Sequence, residues 1–204
     1  MPRRHRDDHR IRQQLAQECA RIMTEEGVSS FAAAKRKAAL RLAVTDRGAL
    51  PDNTEIEQAL FDYQRLFHGE RQMCHLRELR RAALQAMRFL ECFRPRLVGP
   101  VLSGTAGPHS DISLHLFADT PTDVVLFLVE RRIPFDSLER RVTFNNGEQL
   151  QVPVLCFIAG DVGVEITIFA PLAEREAPRD PVDGRPMRRA RIAEIEALLT
   201  TPAP

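Results

Sequence analysis

The stretch PRLVGPVLSGTAGPHSDISLHLF, residues 95–117, marks a change from helical spacing of the apolar residues to the alternation of a strand. Pro95 ends the last helical pattern. Residues 97–102 are predicted to form a buried strand, and the Gly- and Pro-rich residues 103–110 a turn. Residues 111–117 then alternate, which predicts a second strand with two different faces. The apolar face carries Ile112, Leu114 and Leu116, and the polar face carries Asp111, Ser113 and His115.

Before this stretch, apolar residues repeat at helical spacing in four segments. Gly27, a loop rich in Gly, Pro and Asx residues, and Gly69 separate them. The predicted helices are 11–23, 31–43, 54–67 and 71–92. Residues 1–95 are therefore predicted to form a helical region.

After residue 117, the pattern predicts a helix, three strands and a final helix. The helix start is indicated by Thr120 at the N-cap, Pro121 at the first position and Asp123 in the first turn. The predicted elements are a helix over 124–132, strands over 140–144, 149–158 and 162–169, and a helix over 187–199. Pro153 lies inside the middle of these strands, which predicts an edge position or a bulge there.

The predicted order is four helices, then β-β-α-β-β-β, then one helix. This order is typical of an α+β fold with a mixed or antiparallel sheet. Three regions follow from it: a helical region (1–95), a small α/β core (96–170), and a Pro-rich tether with a C-terminal helix (171–204).

The composition indicates a globular chain. It has 204 residues, of which 44% are hydrophobic. No run approaches the roughly eighteen consecutive apolar residues that a membrane helix needs, and no apolar run follows the N-terminus, so neither a membrane span nor a signal peptide is expected. The four cysteines are scattered without paired spacing, which predicts reduced, buried thiols and a cytoplasmic location.

The charges are unevenly distributed along the chain. Residues 1–100 carry 19 Lys and Arg against 13 Asp and Glu, a formal charge of +6. Residues 101–204 carry 10 against 15, a formal charge of −5. The basic half would favour a polyanion such as nucleic acid, or the acidic half of the same chain.

The loop and strand after the first predicted strand contain Gly104-Thr105 and then Ser110-Asp111-Ile112-Ser113. This arrangement resembles the signature of the polymerase beta-like nucleotidyltransferase superfamily. In that signature, a strand, a Gly-Ser or Gly-Gly pair and a short loop precede Ser-Asp-x-Asp on the next strand. The resemblance covers residues 97–170 and implies a nucleotidyltransferase-like core. Two features depart from the pattern: Ser113 stands in the place of the second carboxylate, and the loop before Asp111 is shorter than in most members.

The resemblance also implies roles for individual residues. Gly104, Thr105 and Ser110 are implied to bind a nucleoside triphosphate, because small residues let backbone amides approach phosphates. Asp111 and Glu165 are implied to hold Mg²⁺, and together with Ser113 they form the implied catalytic set. Because a neutral hydroxyl is a poor ligand for magnesium, this set of acids is incomplete. An exposed sheet face is the alternative explanation for Glu165.

Two other groups of residues allow more than one interpretation. The helix carrying Lys35 and Lys37 would contact phosphates of a nucleotide or RNA, or it is a solvated surface. His115 shares the polar face with Asp111, so the two would bind a transition metal with His109, or form an ordinary hydrogen bond.

We therefore expect a nucleotidyltransferase-like protein that binds a nucleotide and transfers a nucleotidyl group with Mg²⁺, if its reduced set of acids suffices. The alternatives are a catalytically inactive regulatory or scaffolding protein, and a nucleic-acid binder through the basic helical half. No membrane partner is expected. No heptad run specifies a partner helix, so the sequence leaves the number of subunits open.

Overall fold

A computed structural model describes the backbone of residues 2–200, and the side chains of these residues except those of 2–8, 47, 67, 68 and 70. The helices are α1 (Pro2–Glu25), α2 (Phe31–Arg41), α3 (Asn53–Phe89), α4 (Gly99–Ser103), α5 (Pro121–Glu130) and α6 (Ile192–Thr200). The strands are β1 (Arg96–Val98), β2 (Ile112–Phe117), β3 (Asp136–Thr143), β4 (Gln149–Ala159) and β5 (Val162–Phe169). Short 3-10 turns lie at Arg47–Ala49, Glu91–Phe93 and Pro171–Glu174.

The five strands form one mixed sheet in the order β1-β2-β5-β4-β3. The central pair, β2 and β5, is parallel, and the other neighbouring pairs are antiparallel. Helices precede and follow this sheet along the chain. The α+β class with a mixed sheet is therefore confirmed.

The chain divides into two compact units. The first contains Met1–Cys74, Thr105–Ser110 and Pro181–Asp183. The second contains His75–Gly104, Asp111–Asp180 and Gly184–Pro204. The strands all belong to the second unit, and the division near residue 95 that the sequence predicts lies within it.

In the first unit, α1 packs against α2. Leu15, Cys19 and Ile22 of α1 are fully buried, as are Ala34 and Ala38 of α2. Alanine side chains on α2 allow the two helix backbones to approach closely, and Ser30 caps the start of α2 because its hydroxyl accepts a hydrogen bond from the Ala33 N–H. The prediction that all four cysteines are buried is wrong, because one cysteine in α3 and one in the turn after it are exposed. These are Cys74 and Cys92.

Helix α3 is continuous, so the predicted break at Gly69 is wrong. Nothing lies within 4 Å of the position that a Cβ would take at Gly69, and its φ is not positive. A single glycine costs a helix about 1 kcal/mol relative to alanine, which is too little to interrupt a helix that is favoured on both sides.

The strand predicted over 97–102 is also partly wrong. Strand β1 ends at Val98, and Gly99, with φ +68°, turns the chain into the short helix α4. Pro100 suits the first turn of a helix, where the missing N–H has no intrahelical partner. Helix α4 then packs against β1 and β2.

Strand β4 lies between β5 and β3, and its register with β3 is unbroken through Pro153, so neither the edge position nor the bulge predicted from this proline is present there. The Phe144 N–H donates to the Glu148 carbonyl (2.9 Å), which fixes the alternation of the β3–β4 ladder. By this alternation the Pro153 nitrogen points away from β3 and toward the β5 side, where the pairing begins only at Val154. Proline therefore removes no ladder hydrogen bond at this position.

The two faces of the sheet differ. One face carries a buried apolar row from β2 and β5, comprising Ile112, Leu114, Leu116, Val164, Ile166 and Ile168. The opposite face is divided along the strands. Its end nearest Phe117 and Phe169 is buried in a second apolar cluster, whereas the end nearest Asp111 is partly open.

Candidate functional site

The open end of the sheet face carries a row of polar side chains. Ser113 on β2 is paired in register with Glu165 on β5, which is paired with Cys156 on β4, which in turn is paired with Asp136 on β3. Paired residues project to the same side of a sheet, so these four side chains share one face. Ser113 and Cys156 are half-buried, Asp136 is exposed, and the Glu165 side chain keeps 22% of its exposure.

Asp111 joins this face immediately before β2 begins, because it lies two residues before Ser113. Its carboxyl group occupies the space next to the backbone of Gly163 on β5. A Cβ on Gly163 would lie 2.7 Å from Cγ of Asp111 and closer still to Oδ1. Gly163 is two residues before Glu165, so the Asp111 carboxyl group lies beside a backbone position about 7 Å along β5 from that of Glu165.

The environment of Asp111 disfavours its charged form. Partial burial raises the pKa of this carboxyl group, and the negative charge of Glu165 raises it further. Neighbouring carboxylates that repel each other in this way bind a cation more readily than either would alone. The alternation that predicted Asp111 and Ser113 on one face of β2 agrees with the structure, and the register places Glu165 of β5 beside Ser113 on that face.

Glu165 already has a cationic partner. Arg140, on the edge strand β3, reaches across β4, and its Nη1 and Nη2 each lie 2.5 Å from one carboxylate oxygen of Glu165. The Arg140 side chain keeps 44% of its exposure. The hydrogen bonds to Glu165 raise the pKa of the guanidinium group, so it stays charged. This bidentate partner was missed in the sequence because it lies two strands away.

The donor set fits magnesium only in part. Among the described residues, no group of three or more His, Cys, Asp or Glu side chains is arranged to hold a metal ion. Mg²⁺ is commonly held by one or two carboxylates together with waters and substrate phosphates. Asp111 and Glu165, with the Ser113 hydroxyl beside them, fit an ion that arrives with a triphosphate, provided that Glu165 leaves Arg140.

The residues implied to bind phosphates lie in both units. Gly104, in the second unit, ends α4 with φ +97°, and its N–H donates to the Pro100 carbonyl. Thr105 and Ser110 belong to the first unit. There, the Thr105 carbonyl accepts a hydrogen bond from the side chain of Gln64, and the Ser110 hydroxyl accepts one from the Gly107 N–H (both 2.9 Å).

Gly99 is a candidate site residue that was not predicted from the sequence. It directly follows β1, and a Cβ at this position would lie 3.7 Å from both Cβ and Oγ of Ser113. Its φ of +68° favours glycine. The signal was present in the sequence as a glycine directly after an apolar strand, but the predicted extension of that strand to residue 102 concealed it.

The basic residues of α2 lie in the first unit, and two of the four are paired with acids of the same unit. The Lys37 ammonium group is 3.1 Å from Glu26. Arg41 pairs with Glu26 (2.8 Å) and with Glu18 (3.1 Å). Lys35, on the same helix, is half-buried. The charge that the sequence offers to a polyanion is therefore partly neutralised within α1 and α2.

His115 has a structural partner in the second unit. It is 5% exposed, and its Nδ1 accepts a hydrogen bond from Nε of Arg189 (3.0 Å), so its partner is an arginine and not Asp111. The Arg189 guanidinium lies 5.1 and 5.2 Å from the ring centres of Phe117 and Phe169. Burial lowers the pKa of His115 to about 3, with further contributions from Arg189 and Arg140. The imidazole is thus held neutral.

Comparison with protein-family models, with curated protein sequences and with solved structures gave no match. Within residues 2–200, no helix is both long enough and apolar enough to cross a membrane.

Proposed function

We propose that the second unit is a nucleotidyltransferase-like core that binds a nucleoside triphosphate together with Mg²⁺ at Asp111 and Glu165. The observation that carries this proposal is the position of the Asp111 carboxyl group beside Gly163, next to Glu165, on the open face of the two central parallel strands. Two neighbouring carboxylates on a rigid, partly open sheet face suit a cation bridged to phosphate oxygens.

In the proposed reaction, the oxygen of an acceptor hydroxyl group forms a bond to the α-phosphorus of the triphosphate and its proton passes to water, while the bond to the pyrophosphate oxygen breaks. The acceptor gains the nucleoside monophosphate, and pyrophosphate leaves. Bound Mg²⁺ supplies neutralisation of the charge on the phosphates. Asp111 and Glu165 position the ion, and the backbone at Gly99 and Gly104 leaves room for phosphate oxygens. The Ser113 hydroxyl is neutral and supplies no second charge on β2, so we expect weak transfer or none.

Calorimetry tests the binding part of the proposal. ATP, CTP, GTP and UTP are titrated with and without Mg²⁺, and at least one is expected to bind in a metal-dependent way. Asp111→Ala should abolish the metal-dependent part. Asp161→Ala, at the exposed turn between β4 and β5, is the matched control and should retain it. Silence of the unaltered protein in every titration would refute nucleotide binding, and full retention by Asp111→Ala would refute the assigned site.

A catalytically inactive regulatory or scaffolding protein is the second candidate. Two observations favour it: Ser113 in place of an acid, and a Glu165 whose two oxygens are both engaged by Arg140. Ser113→Asp discriminates between the candidates, with Ser113→Asn as a neutral control of similar size. Release of pyrophosphate that appears only in Ser113→Asp and only with Mg²⁺ would indicate a decayed transferase. Unchanged inertness would favour a protein that uses this fold for contacts.

The nucleic-acid hypothesis has less support, because Lys37 and Arg41 are paired with Glu26 and Glu18. Its test is affinity for RNA that falls steeply with salt, and a flat response would dismiss it. A cytoplasmic location belongs to the proposal as well, supported by four free thiols and by the cytoplasmic supply of nucleoside triphosphates.

A further inference from the structure

The ion pair between Arg140 and Glu165 uses both Nη atoms of the arginine and both oxygens of the carboxylate. Glu165 lies on β5 in the middle of the sheet, whereas Arg140 lies on the edge strand β3. The guanidinium thus occupies the positions that a metal ion would need on Glu165. A cation can bind there only if Arg140 gives up its partner.

The charges around the ion pair are consistent with the replacement of Arg140 by a cation on Glu165. Asp111, Glu165 and Asp136 are the acidic residues on this part of the face, and Arg140 supplies the positive charge that faces Glu165. The side chain of Arg140 is nearly half exposed and belongs to a strand that pairs on one side only, so it can reorient without opening the core. Because the guanidinium is nearly half exposed, water can solvate its charge when it leaves Glu165, which lowers the cost of exchanging the partner.

The freed guanidinium would match the second component of the proposed ligand. Its planar fork of N–H donors fits two oxygens of a phosphate as well as it fits a carboxylate. Among other described residues near this face, Arg189 donates to His115 and to the Ala173 carbonyl, so it is committed elsewhere.

We propose that Arg140 is a phosphate-binding residue that exchanges partners: it neutralises Glu165 in the free protein, and it binds a phosphate of the nucleoside triphosphate when Glu165 turns to the metal ion. This inference rests on the proposed function, because it needs the triphosphate and its ion to occupy this face. It assigns Arg140 to the ligand and excludes a purely structural role.

The test measures two affinities, one for Mn²⁺ alone and one for ATP with Mg²⁺. If Arg140 exchanges partners, replacing it should change the two affinities in opposite directions. For Arg140→Gln, the affinity for Mn²⁺ alone, followed by electron paramagnetic resonance, should rise several-fold because Glu165 has lost its competitor. The affinity for ATP with Mg²⁺, measured by calorimetry, should fall by about tenfold because a bidentate phosphate contact is lost. Arg140→Lys should give intermediate values, since it keeps the charge and loses the fork.

Arg141→Gln is the matched control, because Arg141 is an exposed arginine on the same strand that projects to the opposite face. It should leave both affinities within twofold of the unaltered protein. Thermal unfolding of each variant verifies that it is folded.

Other outcomes overturn the inference. A rise in both affinities would make Arg140 a competitor of the metal only, a fall in both would make it structural, and no change in either would remove it from the site. These results can be distinguished from those expected if the proposed function itself is wrong. If Arg140 has no role, the unaltered protein still binds ATP with Mg²⁺ and Asp111→Ala still abolishes that binding. If the proposed function fails, the unaltered protein binds no nucleotide at all.

Discussion

Asp111 and Gly163 show how one residue without a side chain positions another residue that has one. The carboxyl group of Asp111 fills the volume that a Cβ of residue 163 would need, and the φ of Gly163 is not in the left-handed region. A larger residue would therefore fit the backbone conformation but would collide with the carboxylate. The absence of a side chain at 163 is thus a condition for the proposed metal site.

Gly163→Ala tests this condition. We expect the added methyl group to displace the Asp111 carboxylate and to weaken Mg²⁺-dependent ATP binding by about tenfold, equivalent to about 1.4 kcal/mol. Calorimetry measures the binding, and urea unfolding measures the stability. Because Asp111 is exposed and can swing aside, the stability should change by less than about 1 kcal/mol.

Gly160→Ala is the control, and its expected effects are the reverse of those of Gly163→Ala. Gly160 lies in the β4–β5 turn with φ +65° and open space around its Cα, so alanine should cost about 1 kcal/mol of stability through backbone strain. It should leave nucleotide binding unchanged. The same loss of binding in both variants would show that Gly163 has no special relation to Asp111.

At the scale of single residues, alternation along one strand was enough to predict that Asp111 and Ser113 share a face. Gly163 and Arg140 could not be found in the same way. Their roles depend on which strands are neighbours and on the register between them, and a local pattern does not specify either. Their partners are known only once β5 is paired with β2 on one side and β4 on the other.

Helix α3 shows the limits of local signals at the scale of an element. Its 37 residues were predicted as two helices because Gly69 and its polar surroundings weaken the apolar period there. The helical patterns on both sides continue through that point in the structure. Gly69 therefore carries the conformational cost of a glycine within a helix without the benefit of a turn.

Gly69→Ala is expected to stabilise the protein by about 0.5–1 kcal/mol, because alanine removes this cost and nothing lies within 4 Å of the new Cβ. Gly147→Ala, in the turn between β3 and β4 with φ +84°, is the control and should destabilise it by about 1 kcal/mol. Urea unfolding of both variants measures the changes. Destabilisation by Gly69→Ala would contradict a continuous helix.

Helices α1 and α2 and strands β2, β4 and β5 were predicted from the sequence because each has a clear period or a clear start signal. The start of α5 was equally explicit, and the predicted positions of Thr120, Pro121 and Asp123 are confirmed, with the Thr120 N–H also donating to Asp123 Oδ2 at 2.9 Å. Helix α4 was not predicted. Its five residues are too few to show a helical period, and the apolar side chains of Val101 and Leu102 continue the apolar run of the strand before them.

For the molecule as a whole, the buried imidazole of His115 links folding to pH. In the folded state its pKa is about 3, against about 6.5 for an ordinary histidine. Between these values the unfolded chain binds a proton at residue 115 and the folded chain does not. The stability contributed by His115 is therefore complete above about pH 6.5 and falls as the pH decreases toward 3, by at most about 1.4 kcal/mol per pH unit.

His115→Asn separates this contribution from the others, since the asparagine oxygen can still accept the hydrogen bond from Arg189. We expect the variant to lose stability less steeply between pH 6 and 4 than the unaltered protein does. Urea unfolding at several pH values measures both slopes. Carboxylates whose pKa is lowered, such as Glu18 beside Arg21, add to the acid loss equally in both proteins and cancel in the difference. Parallel slopes would show that His115 is protonated in the folded state.

The parallel pairing of β2 with β5 also constrains how the chain matures on the ribosome. β2 is synthesised well before β5, and its pairing edge has no occupant until residues 162–169 have left the exit tunnel. During that interval the nascent chain carries an unpaired edge on an apolar strand, and such edges favour association between chains. Translation that pauses within β4 would therefore promote aggregation, and Asp111 would meet Glu165 only in chains that pass this point.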